Sequence, residues 1–103
     1  MSLDTTAVLT LGGRTVAEVL VSESRSITHE MFDSVAATYP DAVARDDRGS
    51  PLTASLTTGQ AHAMLQKWRR EGTFGYEASA LAFAIDRLIE TVQAGATMDL
   101  VTH

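Results

Sequence analysis

The chain has 103 residues with a formal net charge of −5, 45% apolar and 20% charged side chains, and no cysteine. That length suits one domain of about 100–150 residues, with about two-thirds of the unfolded chain's surface buried on folding. The balance excludes a disordered tail, a disulfide scaffold and any thiolate nucleophile or metal site. It also disfavours a protein that coats nucleic-acid phosphate over its whole surface.

The longest uninterrupted apolar run, Ala80–Ile85, is far short of the roughly 18–20 residues that span a bilayer, so no membrane association is expected. Val8–Leu11 is too short for the core of a secretory signal. With no cysteine in the chain, a cytoplasmic location is expected. Met1-Ser2-Leu3 reads as a vector-derived leader, leaving residues 4–103 as the domain. One lysine against seven arginines points to a GC-rich, bacterial genome.

In chain order, Ala7–Leu11 and Arg14–Val21 are rich in Val, Leu and Thr and flank Gly12-Gly13. This pattern predicts a two-stranded hairpin, because a Gly-Gly pair supplies the positive φ angles of a tight turn. Ser22–Ser26 is a polar break. Thr28 is the expected cap of a first helix over residues 28–39, with Glu30 in its first turn and Ile27 and Phe32 forming a hydrophobic staple. Phe32, Val35, Ala36 and Tyr39 recur at helical spacing, and Pro40 ends the run because it lacks the next N–H. The stretch from Asp41 to Leu56, with a turn at Asp46–Pro51, is expected to be an exposed loop.

Thr57-Thr58-Gly59-Gln60 matches a capping box. The helix that follows, at 58–71, should bury Ala61, Met64, Leu65 and Trp68, with Gly72 as its stop. A third helix is expected from Tyr76 to Ala94, with the seam Ala78, Leu81, Ile85, Leu88 and Val92. Met98 and Leu100 alternate with polar neighbours in a closing strand at Ala96–Thr102. The expected fold is α+β, with about three helices on one face of a small antiparallel sheet made of the N-terminal hairpin and the C-terminal strand.

Three features carry functional interest. His62, Gln66, Arg69 and Arg70 fall within one sector of about 100° on the second helix, a candidate nucleic-acid or anion face. Residues 57–71 hold Lys67, Arg69, Arg70 and Glu71, a local balance of +2 in an acidic chain. On the third helix Phe83 lies opposite the apolar seam, so Tyr76, Ala80 and Phe83 form a candidate homodimer contact. His29 and Asp33 stand one helical turn apart but lack the second histidine of a zincin helix, so no metal and no cofactor is assigned.

With no nucleophile elbow, phosphate loop or dinucleotide fingerprint, a catalytic role is disfavoured and no catalytic residue is assigned. The expected function is that of a small non-catalytic protein-interaction module that self-associates. The alternatives are a nucleic-acid-binding regulator using the 58–71 face, and a small oligomeric enzyme with an intersubunit site.

Overall fold

The computed structural model describes residues 3–71 and 95–103. β1 (Thr5–Leu11) and β2 (Arg14–Ser22) form the predicted hairpin, with Gly12 and Gly13 at φ 60° and 80°. Two consecutive positive φ angles give the turn twist that matches paired strands, and glycine adopts them without a Cβ clash.

Helix α1 (Arg25–Thr38) follows, then a 3₁₀ turn (Pro40–Ala42), β3 (Val43–Arg45), β4 (Pro51–Thr57), α2 (Thr58–Glu71) and β5 (Thr97–Thr102). The strands pair antiparallel in the order β2-β1-β5-β4-β3. The α+β class holds, but the sheet has five strands, and β5 lies between β1 and β4 in its centre. The predicted helix at 76–94 and its seam lie outside the described residues.

α1 starts earlier than its sequence suggests. Ser24 is the cap, its Oγ accepting the Ile27 N–H at 3.3 Å. Thr28 sits inside the first turn and its N–H donates to the Ser24 carbonyl at 2.9 Å. Ile27 is therefore a helical residue rather than the outer half of a staple, and Glu30 falls in the second turn. The reason is competition. Ser24, Ser26 and Thr28 are all good caps, but the Thr28 hydroxyl is needed in the interior, where it accepts from Thr5 Oγ1 at 2.8 Å and donates to the Leu3 carbonyl at 2.9 Å.

Residues 41–56 are not an exposed loop. They form the 3₁₀ turn and the β3–β4 hairpin, whose connection is tied by Asp46 Oδ1 accepting the N–H groups of Arg48 (2.8 Å) and Ser50 (2.9 Å). β4 buries Pro51, Ala54 and Leu56 and exposes Leu52, Ser55 and Thr57. Alternation on so few apolar side chains is a weak strand signal, and the pairing to β5 supplies what the local pattern lacks.

One face of the sheet carries the core. Ala7 and Leu9 of β1, Met98 and Leu100 of β5, and Ala54 and Leu56 of β4 pack with Met31, Phe32 and Val35 of α1 and with the α2 stripe. Trp68, 1% exposed, donates Nε1–H to Ser34 Oγ at 2.9 Å and so ties α2 to α1. Fully burying each large apolar side chain is worth about 1.5–3 kcal/mol, so this layer fixes how both helices sit on the sheet.

Candidate functional site

The roll of α2 is set at its first turn. Gln60 N–H donates to Thr57 Oγ1 at 3.2 Å while Thr57 N–H donates to Gln60 Oε1 at 3.1 Å, the reciprocal capping box read from the sequence. Ala61, Met64, Leu65 and Trp68 are all buried as expected. That orientation brings three of the four predicted polar residues together. Arg69 Nη2 donates to Gln66 Oε1 at 2.7 Å, and Gln66 Nε2 lies 3.4 Å from His62 Nε2. Arg70 is exposed and stands apart from the ladder. The arrangement holds one guanidinium and one imidazole along a helix face, and both arginines lie in the last turn, where cations also favour the helix dipole.

Asp33, the candidate partner of His29, is instead engaged by Arg45 Nη2 at 3.0 Å. Among the described residues no three His, Asp or Glu side chains converge on one point. Tyr76, Ala80 and Phe83 lie outside the described residues.

Two further features emerge only from the three-dimensional pairing. The first is the sheet face opposite the helices. Strand register aligns Leu20, Thr6, Val101, Thr53 and Ala44 in one row across all five strands. The next row is Glu18, Val8, Asp99 and Ser55, and a third contains Thr15, Thr10, Thr97 and Thr57. Val16 and Leu20 are 50% and 42% exposed. Apart from Glu18, Asp99 and the terminal His103, whose Nε2 contacts Thr6 Oγ1 at 2.6 Å, these rows are uncharged and largely β-branched.

The second feature is an open cleft of about 390 Å³ whose wall includes Tyr39, Pro40, Asp41, Ala42, Ser55 and Gln60. It lies where β3 stops: the β3–β4 ladder pairs Val43 with Ala54, and the 3₁₀ turn continues beside the rest of β4. Tyr39, Pro40 and Gln60 are legible as helix signals, but their convergence with Asp41, Ala42 and Ser55 follows only from the β3–β4 hairpin, whose segment has the composition of a loop. Compared with family models, curated proteins and solved structures, the chain matches none.

Proposed function

We propose that this chain is a small protein-interaction module that self-associates through the outer face of its sheet. The observation that carries the reading is the uncharged row from Leu20 to Ala44, beside exposed Val16, on a sheet whose opposite face packs both described helices. At ordinary strand spacings the face measures about 24 Å by about 20 Å. Two such faces bury about 1,000 Å², the lower end of what specific complexes use. The association is therefore weak and concentration-dependent, with Leu20 contributing about 1 kcal/mol per protomer through its exposed part.

Sedimentation equilibrium from low to high micromolar concentration tests this. A wild-type dimer that Leu20→Glu converts to monomer supports the reading. A monomeric wild type, or an unchanged Leu20→Glu dimer, overturns it. A dimer lost in Phe83→Glu but kept in Leu20→Glu moves the contact to the Tyr76, Ala80 and Phe83 face.

A second reading, an anion or nucleic-acid face, is supported by the His62–Gln66–Arg69 ladder and the local positive balance. The two separate by salt: apolar association survives high ionic strength, whereas phosphate binding weakens steeply. A labelled duplex and single strand that show no salt-dependent binding at low ionic strength would end the second reading.

A further inference from the structure

We propose that the cleft between the 3₁₀ turn, β4 and the start of α2 is a binding site for a small organic ammonium compound carrying a neighbouring hydroxyl. Among the described wall residues, Asp41 supplies the one formal charge. Two neighbouring backbone donors are already engaged locally: Ala42 N–H by the Tyr39 carbonyl at 3.0 Å and Thr57 N–H by Gln60 Oε1 at 3.1 Å. What remains on the described wall is the Asp41 carboxylate, which only accepts, beside the hydroxyls of Tyr39 and Ser55, which can each accept or donate, and that favours a cation with several N–H donors. Tyr39 adds an aromatic side chain of the kind that stabilises ammonium groups.

The wall is held in place before any ligand arrives. Pro40 fixes its own φ, Tyr39 N–H caps α1 on the Val35 carbonyl at 2.6 Å, and the capping box holds Gln60 by its Oε1. The Gln60 NH₂ is then left as a fixed donor for an acceptor on the ligand, which is why a hydroxyl beside the ammonium fits. The volume lies within the usual range of about 300–1,000 Å³ for small-molecule sites.

The test is backbone-amide NMR titration of the full chain with ethanolamine, ethylene glycol and glycolate, which present cationic, neutral and anionic versions of one two-carbon frame. Ethanolamine is expected to shift the amides of Asp41, Ala42, Ser55 and Gln60 saturably, while the glycol and the acid do not. Asp41→Asn should lower the ethanolamine affinity by about tenfold, as expected for loss of a charge-assisted bond, with the remaining amide spectrum unchanged as the folding control. No saturable shift, equal shifts with ethylene glycol, shifts centred on Asp46 and Asp47, or an unchanged affinity in Asp41→Asn would each overturn the proposal. None of these outcomes depends on whether the chain self-associates.

Discussion

Thr28→Val is the sharpest probe of how α1 docks on the sheet. The change keeps the branched shape and deletes one hydroxyl, which accepts from Thr5 Oγ1 at 2.8 Å and donates to the Leu3 carbonyl at 2.9 Å. Thr5 and Thr28 are both 0% exposed, so the Thr5 hydroxyl left behind cannot turn to water. Each lost bond is worth about 0.5–1.5 kcal/mol net, and stranding the buried Thr5 hydroxyl raises the total to about 2–3 kcal/mol. Urea unfolding followed by circular dichroism and by the fluorescence of Trp68, the only tryptophan, measures this directly. Thr5→Val/Thr28→Val removes both hydroxyls, so no buried hydroxyl is left stranded and only the Leu3 carbonyl loses its donor. It should therefore be more stable than the sum of the single changes implies, by about 0.5–1.5 kcal/mol. A Thr28→Val loss below about 0.5 kcal/mol, or strict additivity in the double variant, would refute the buried hydroxyl pair as a docking element.

Ser24→Ala removes the acceptor for the Ile27 N–H and should cost about 1 kcal/mol in chemical unfolding, whereas a chain capped at Thr28 would lose almost nothing. Gly13→Ala meets no atom within 4 Å, so its cost is that of holding alanine at φ 80°. That cost is about 1–2 kcal/mol, visible as a lowered thermal midpoint. Glu18→Val removes a carboxylate from the outer face, on its edge strand β2, and should strengthen self-association measurably by sedimentation; weaker association would count against that face as the contact.

How much was legible depended on whether the deciding contacts were local. The β1–β2 hairpin is specified by Gly12-Gly13 and the strands beside it. α2 is bounded by Thr57 and Gln60, which recognise each other across three residues. Its buried stripe and the His62–Gln66–Arg69 face follow from helical period alone. The start of α1 was ambiguous because three hydroxyl side chains compete for the cap, and the winner is decided by Thr5, 23 residues before Thr28. β4 was missed for a similar reason. Ala54 and Leu56 are modest apolar signals, and what makes the segment a strand is its pairing with Leu100 and Met98 of β5. The outer face and the cleft inherit that miss, since both exist only once β4 is placed beside β5 and the 3₁₀ turn beside β4.

If the chain self-associates as proposed, the construction of the two sheet edges favours the outer face over an edge as the surface of contact. β3 has three residues, its register slips between Ala44 and Arg45, and Arg45 is drawn across to Asp33. Short length, a bulge and a charged side chain all discourage an added strand. β2 has nine residues, but its pairing with β1 shifts between Leu9 and Thr10 and between Thr5 and Thr6. Val16 and Val21 are left as the extra residues at those shifts, so only Ala17–Leu20 runs in unbroken register. Glu18 lies within that stretch, and a second copy pairing antiparallel about it would set two carboxylates directly opposite each other, which is destabilising. Bulges at both ends and a like-charge clash in the middle defend the longer edge as thoroughly as brevity defends the shorter one. Among the described residues the outer face has only the Glu18 and Asp99 carboxylates as comparable devices, both in one row, while the row through Leu20 and Val101 carries no carboxylate side chain and meets only the His103 ring at Thr6. Stacking along that row leaves every existing strand pair intact, so dimer formation by this route should change the far-ultraviolet circular dichroism very little.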